Sequence, residues 1–164
     1  MPESLYSPAT QAEMEATFPQ RNIRIAGEPT LLGLLDIFRH ITNCVASFVS
    51  SYNVLNLLYV AVPEGLWPMY STTTYPNAPA DPGERPMLNE NGTNGANAMI
   101  RDSWAILRKH YLEYLHMNRA LIDRMLSCLD PDITTNYKQT NLMTNPKSLY
   151  LDVFQHFLDV YRSE

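Results

Sequence analysis

Apolar residues recur at spacings of three and four along three long segments of this 164-residue chain, as they do on one face of an α-helix. The first segment spans 31–52 and follows Thr30, which can cap a helix N-terminus. The second spans 99–129 and predicts one long helix, or two nearly collinear helices broken near 116–118. The third spans 149–161. No stretch of useful length alternates with a period of two, so the pattern predicts an all-α domain.

Prolines predict where shorter helices begin. Pro63 is expected to open one short helix, and the Asp130–Pro131 pair is expected to start another. The same device at Asn145–Pro146 is expected to open the last of the three long segments. The apolar run "NVLNLLYVAV" (53–62) fits either a buried strand or a further helix, and we favour the helix. Alternating isoleucines at 23–25 indicate an extended entry or a short hairpin strand before the first long helix.

These elements predict one compact helical domain of five to six helices over 23–164, preceded by a flexible N-terminal arm over 1–22. A short helix at 11–18 is compatible with the arm. A proline-rich connector at 75–95 separates the two longest helical segments, and Tyr75–Pro86 holds four prolines in twelve residues. Because proline lacks an N–H and restricts the residue before it, this stretch is expected to be an ordered, extended connector or a tether.

Composition adds an expected compartment. Cys44 and Cys128 lie far apart within apolar helical patterns, so we expect two buried free thiols, as in a reducing compartment. The N-terminus lacks the pattern of a secretory signal, and no uninterrupted apolar run reaches about 18 residues. We therefore expect a cytoplasmic protein without membrane contact.

Motifs for catalysis are missing from the sequence. It contains no glycine-rich phosphate loop, no G-x-S-x-G, no D-[ST]-G and no metal-spaced pair of cysteines. The nearest constellation is His110-x-x-Glu113-x-x-His116, whose outer residues diverge around a helix and do not fit one compact zinc site. We expect no enzyme activity, cofactor, metal or small-molecule substrate, although residues brought together only by the fold leave a small enzyme as an open alternative.

Charge argues against a surface built for nucleic acid, because the formal net charge is −5. Five basic residues nevertheless fall along the second helical segment, interleaved with acidic ones. They indicate either a mixed, solvated face or a weak patch for RNA or a protein partner. These residues are Arg101, Arg108, Lys109, Arg119 and Arg124.

Ten tyrosines are many for a helical chain of this length. Aromatic rings on helices usually belong to the core, but a tyrosine at the edge of a core also suits a protein interface. The candidates for structural or interface roles are Trp67, Trp104, Tyr150 and Tyr161, with Pro82 and Gly83 in the connector.

Four stretches in this order carry a family resemblance: "IAGEPTLLGLLDIFRHITNCVASFVS", "YPNAPADPGERP", "IRDSWAILRKHYLEYLHMNRALIDRMLSCLDPDI" and "NPKSLYLDVFQHFLDVY". Together they resemble the Gag capsid region of copia-type LTR retrotransposons, in particular the algal and protist lineages. The resemblance covers about residues 23–162. It departs at "SSYNVLNLLYVAVPEG", where a Gly/His-rich stretch is typical of the family, and the zinc knuckle of such proteins is missing from these residues.

The resemblance implies a structural capsid domain that self-associates into a ring or shell lattice and packages retroelement RNA. The RNA contacts are then expected mostly from segments outside these residues, because the chain is acidic. An alternative of another class is a helical adaptor, or a domesticated capsid-like module, that binds a protein partner without forming shells.

Overall fold

The computed structural model describes residues 8–52, 57–87, 94–137, 145 and 147–161. Within these ranges every regular element is a helix and no residue lies in a strand, which confirms the all-α class. The described residues form five α-helices: α1 (Gln11–Thr17), α2 (Leu31–Tyr52), α3 (Asn94–Ser127), α4 (Pro131–Tyr137) and α5 (Tyr150–Tyr161). Two 3-10 helices, Leu58–Val60 and Glu64–Met69, lie between α2 and α3.

Helix α2 begins where its cap predicts. The Gly33 N–H donates to the Thr30 hydroxyl oxygen over 3.0 Å, which satisfies one of the amide groups left free at a helix start. Its core face is fully buried and consists of Leu34, Ile37, Ile41, Val45 and Phe48.

The second long segment forms a single helix of 34 residues, α3, rather than two. Asn118, at the predicted break, is buried and takes part in two hydrogen bonds. Its Nδ2 donates to the Tyr114 carbonyl oxygen over 2.9 Å, and its Oδ1 accepts from the Tyr150 N–H over 2.8 Å. The polar residue that interrupts the apolar pattern therefore anchors the start of α5 and does not break α3.

Helix α2 starts beside the end of α3 and runs back along it. The Ile25 N–H donates to the Cys128 carbonyl oxygen over 2.8 Å, and the Gly27 N–H donates to an Asp130 carboxylate oxygen over 3.0 Å. Gly27 has φ 71°, a conformation that glycine adopts at little cost. The extended entry expected at 23–25 is thus tied to the end of α3, and it forms no hairpin strand.

The expected flexible arm differs from the structure over the part that is described. Residues 11–17 form α1, and Met14 and Phe18 are buried against the core. The His116 Nδ1–H donates to the Ala9 carbonyl oxygen over 2.8 Å, which fixes the start of this segment on α3. Burial of two large apolar side chains offsets the entropy lost on ordering the segment. Residues 1–7 lie outside the described part of the chain.

Helix starts after proline are correct at Asp130 and displaced at Asn145. An Asp130 carboxylate oxygen accepts the Asp132 N–H over 3.0 Å, and α4 begins at Pro131. The Asn145 side chain likewise accepts the Lys147 N–H over 3.0 Å, but it caps only a turn. The last helix begins later, at Tyr150, where the buried Asn118 side chain accepts the first N–H of the helix.

The run 53–62 does not form the continuous helix that we favour from the sequence. Residues 53–56 lie outside the described residues, and the rest forms the short 3-10 helix Leu58–Val60. Tyr59 stacks on the Tyr114 ring with a centroid distance of 6.0 Å, so this turn is held by core packing. The helix predicted after Pro63 is present as the second 3-10 helix, Glu64–Met69.

The connector is extended and attached to the fold near both of its ends. The Tyr75 hydroxyl lies 3.0 Å from the carbonyl oxygens of Tyr59 and Val62, to which it donates. Further along, the Trp104 Nε1–H donates to the Gly83 carbonyl oxygen over 3.2 Å. Residues 88–93 lie outside the described residues, and 94–95 already belong to α3, so the helix begins within the range assigned to the connector.

Candidate interaction surfaces

The first half of α3 carries an apolar face that the described part of the chain leaves exposed. None of the described residues 95–112 is buried. Ile100, Leu107, Tyr114 and Leu121 recur every seven residues and so share one helix face. Tyr114 and Leu121 point into the core, whereas Ile100 and Leu107 are exposed. The core-facing side of α3 therefore continues outward beyond the core.

We call this exposed continuation the α3 stripe. It comprises Met99 (72% exposed), Ile100, Ile106 and Leu107 (57% exposed). Contiguous exposed apolar side chains of this kind mark interaction sites on folded proteins. The sequence pattern shows these positions as helical and apolar, but it gives no sign that the packed part of the domain ends near Glu113.

A second exposed apolar surface lies on the first two turns of α2. It consists of Leu31, Leu32 (75% exposed) and Leu35, and we call it the α2 patch. The apolar face of α2 is wider than the core needs, because Leu34 alone of the leucines in these turns is fully buried. The width of that apolar face in the sequence is the signal that predicts this surface. The interface candidates named from the sequence are aromatic and do not include these leucines.

The two surfaces differ in the charges beside them. Arg101, Arg108 and Lys109 accompany the α3 stripe, with Asp102 as the acidic residue among them. Glu28 and Asp36 flank the α2 patch in the sequence, and Asp36 lies 3.6 Å from Arg39 in an exposed ion pair. Exposed pairs of this kind are worth little and exchange partners readily.

The structure places the aromatic candidates in two groups. Trp67 is 2% exposed and Tyr150 is fully buried, so both stabilise the fold and offer no surface to a partner. Trp104 is half-buried, and the Arg108 guanidinium lies 5.5 Å from the centre of its ring. Tyr161 is half-buried and stacks on Phe157 at 6.3 Å.

The connector candidates join Trp104. Gly83 has φ 77°, and its N–H donates to an Asp81 carboxylate oxygen over 2.8 Å, so the chain turns at this point. Pro82, directly before it, is half-buried. Pro82 and Gly83 thus position the carbonyl group that receives the indole N–H of Trp104.

The five basic residues do not form one patch. Arg124 faces inward, where its Nε–H donates to His40 Nε2 over 3.0 Å and its NH2 group donates to the Pro19 carbonyl oxygen. Arg119 lies 3.5 Å from Asp123 in an ion pair. Only Arg101, Arg108 and Lys109 remain together, and they lie on the half of α3 that carries the α3 stripe.

An open groove of about 980 Å³ lies where the entry segment crosses the end of α3. Arg24 and Arg119 contribute basic side chains, and Asp123 and Asp130 contribute carboxylates. Hydrogen bonds from the N–H groups of Gly27 and Asp132 lower the pKa of Asp130, so this carboxylate stays charged. Apolar side chains complete the lining: Ile25, Ala26, Leu126 and Leu129.

The buried thiols lie in a cluster of polar groups between α2, α3 and α5. Cys44 and Cys128 are free and buried, as predicted. Burial raises the pKa of Cys44 to about 12 and that of Cys128 to about 11, so both stay protonated and are poor nucleophiles at neutral pH. Cys44 Sγ lies 3.9 Å from His40 Nε2. The fully buried Tyr150 hydroxyl has no hydrogen-bond partner among the described residues.

The constellation His110, Glu113 and His116 does not form a site. His116 is engaged with the Ala9 carbonyl group, Glu113 is buried, and His110 is exposed. A search of the described ranges finds no group of three His, Cys, Asp or Glu side chains placed to hold a metal ion.

Helix α2 is long and apolar enough over Leu31–Ser50 to span a membrane by length and composition. A share of 44% of that window is buried within the fold, however, and the core helix of a globular domain passes the same test.

Comparison with known protein families, with curated proteins and with solved structures finds no significant match to this chain.

Proposed function

We propose that this protein is a structural, capsid-type helical protein that self-associates into a ring or shell lattice. The observation that carries the proposal is the α3 stripe, which continues a core-facing helix side beyond the domain on exposed Met99, Ile100, Ile106 and Leu107. Burial of apolar surface contributes about 25 cal/mol of free energy for each Å², and side chains left in water do not gain it. Contact with another copy would bury them.

A lattice suits surfaces of this size. Each contact in a ring or shell can be small, because many copies of the same contact act together. The support for each contact must be rigid, and here a continuous helix of 34 residues carries the stripe while hydrogen bonds fix the connector beside it. The order of the sequence segments resembles copia-type Gag capsid regions and favours the same function.

RNA enters this proposal only through other segments. The net charge of −5 opposes general phosphate binding, and of the five candidate basic residues only Arg101, Arg108 and Lys109 remain grouped. Two protonated, buried thiols suit a reducing compartment, and they support the cytoplasm as the proposed location.

The test is the mass distribution of the purified protein, measured by light scattering on a sizing column and by negative-stain microscopy over a range of protein concentration and salt. We expect rings, tubes or shells. The variant Leu107→Asp should abolish large particles and leave helicity and melting temperature unchanged, because Leu107 is 57% exposed.

Val160→Asp is the matched control, since Val160 is also helical and 51% exposed but lies on α5. It should assemble like the wild type. A wild-type protein that stays monomeric into the high micromolar range contradicts the proposal. If Leu107→Asp unfolds the protein, the stripe belongs to the core and not to a contact.

The groove at the end of α3 favours a second function, that of a helical adaptor. Apolar side chains between two basic residues, Arg24 and Arg119, and two acidic ones, Asp123 and Asp130, would suit an extended segment of a partner protein that carries both charges. A stable monomer or dimer whose partner binding is lost in Arg24→Glu, while Leu107→Asp has no effect on it, would favour the adaptor.

A further inference from the structure

We propose that copies of this chain join head to tail, with the α3 stripe of one copy seated on the α2 patch of the next. The inference rests on the proposed self-association and specifies its contact. Both surfaces are apolar, both lie on helices, and both are exposed in the single chain.

The two surfaces lie toward opposite ends of the molecule. The entry to α2 is attached to the end of α3, because the Ile25 N–H donates to the Cys128 carbonyl oxygen. Leu107 lies about six helical turns before Cys128, which directly follows α3. This separation is about 30 Å at a rise of 1.5 Å per residue. One chain therefore cannot cover its own stripe with its own α2 patch, but a second copy can.

Charge favours this pairing. The α3 stripe is accompanied by Arg101, Arg108 and Lys109 against one acidic residue, Asp102, so basic residues prevail there. The α2 patch is accompanied by Glu28 and Asp36 against one basic residue, Arg39, so acidic residues prevail there. Opposite charges around an apolar centre steer association and fix its register. Asp36 forms an exposed ion pair with Arg39, and an exposed pair of this kind can exchange its basic partner for one on the neighbour.

The symmetric alternative fits less well. Two α3 stripes packed on each other would bring the basic residues of both copies together, three on each side against a single Asp102. Such a contact would also leave Leu31, Leu32 and Leu35 in water. A head-to-tail contact covers both apolar surfaces with one kind of interface, and its repetition gives closed rings or open filaments according to the rotation between copies.

A mixing experiment with two variants tests the contact. Leu107→Asp removes the stripe and keeps the α2 patch, and Leu32→Asp does the reverse at a residue that is 75% exposed. Each variant alone should be monomeric, with self-association at least tenfold weaker than in the wild type. An equimolar mixture should form a one-to-one dimer by light scattering and grow no further, because only one complementary pair of surfaces is intact. Val160→Asp should assemble like the wild type.

Other outcomes separate the two proposals. If Leu32→Asp alone forms a dimer that Leu107→Asp does not, the stripe pairs with itself and the head-to-tail contact is wrong. If the wild type assembles and neither variant weakens assembly, this contact is wrong while self-association stands. If the wild type is monomeric at every concentration, self-association itself is wrong.

Charge reversal gives a second readout that does not change the apolar surfaces. Arg108→Glu with Lys109→Glu, or Glu28→Lys with Asp36→Lys, should each weaken assembly. A mixture of the two proteins should restore assembly beyond a dimer, with the two variants alternating, because each reversed surface then meets its opposite and so does each unchanged one. Equal assembly of both variants and the wild type would contradict the pairing.

Discussion

At the level of a single residue, the buried hydroxyl group of Tyr150 is expected to lower the free energy of unfolding. The side chain is fully buried beside Cys44 and Cys128, and its pKa is raised by burial and by the nearby thiols. A buried polar group without a partner loses its hydrogen bonds to water and regains none.

Tyr150→Phe should therefore raise the free energy of unfolding by about 1 kcal/mol, since it removes the hydroxyl and keeps the ring. Urea denaturation measures the change. Tyr70→Phe is the control, because Tyr70 is exposed and its hydroxyl is solvated, and it should have no effect. A loss of stability in Tyr150→Phe would show that the hydroxyl has a partner in solution.

His40 predicts a loss of stability in mild acid. Burial and the neighbouring Arg124 lower its pKa below the ordinary value of 6.5. The unfolded chain therefore binds a proton at His40 at a higher pH than the folded chain does. Its contribution to stability is present above about pH 6.5 and is lost as the pH falls below that value.

The measurement is the urea midpoint from pH 8 to pH 5 for the wild type and His40→Gln. The fall in stability below about pH 6.5 should be shallower in His40→Gln, because glutamine does not titrate. Identical pH profiles would show that the contact between Arg124 and His40 does not hold the imidazole neutral.

Residue-level prediction from the sequence works where the interaction is local. Thr30 and Asp130 cap their helices as predicted, because a cap and its N–H groups are two or three residues apart. The inward turn of Arg124 cannot be predicted in this way, since its acceptors lie on α2 and at Pro19, far away in the sequence. Spacing along one helix therefore groups Arg124 with basic residues from which the fold separates it.

At the level of elements, α1 is a packed part of the domain. A substitution of its buried residue Met14 tests this packing. Met14→Ala removes a fully buried side chain and should lower the free energy of unfolding by about 2–5 kcal/mol. Met87→Ala, at a residue that is 94% exposed, should change it little. Calorimetric melting of both variants makes the comparison, and equal effects would mean that α1 is detached in solution.

The connector depends on the backbone conformation of Gly83. Its φ of 77° is costly for any residue with a Cβ, so Gly83→Ala should destabilise the fold by about 1–2 kcal/mol. Nothing lies within 4 Å of an added Cβ at Gly83 or at Gly65, and Gly65 has no positive φ. Gly65→Ala in the second 3-10 helix is thus the control for the added methyl group. Equal melting temperatures of the two variants would exclude the backbone effect.

Element-level prediction from the sequence depends on the length of the pattern. Helices α2 and α3 follow from long apolar repeats, whereas the predictions that differ from the structure concern short pieces, namely the turn after residue 57 and the start of α5. Each of these short pieces is decided by contacts with the rest of the fold. The Tyr150 N–H, for example, is received by Asn118 of α3.

At the scale of the whole molecule, the sequence predicts helix faces but not how far the core extends. Ile100 and Leu107 continue the heptad of Tyr114 and Leu121 and are indistinguishable from them in pattern. The arrangement of α1, α2, the first 3-10 helix and α5 on α3 decides which part of that face is covered. An aromatic residue type likewise does not show whether a side chain lies in the core or at the surface. Trp67 and Tyr150 both lie in the core.

The uneven packing along α3 also predicts a gradient in amide hydrogen exchange. Backbone N–H groups at 95–112 belong to turns without buried side chains, so they should open locally and exchange faster than those at 113–126. A second copy seated on the stripe would slow that exchange, and mass spectrometry at low and high protein concentration would detect it. Assembly would then depend on the helix-forming tendency of these turns as well as on their contacts, so that Ala105→Gly, on the side of the helix away from the stripe, would weaken it without removing any apolar side chain of the stripe.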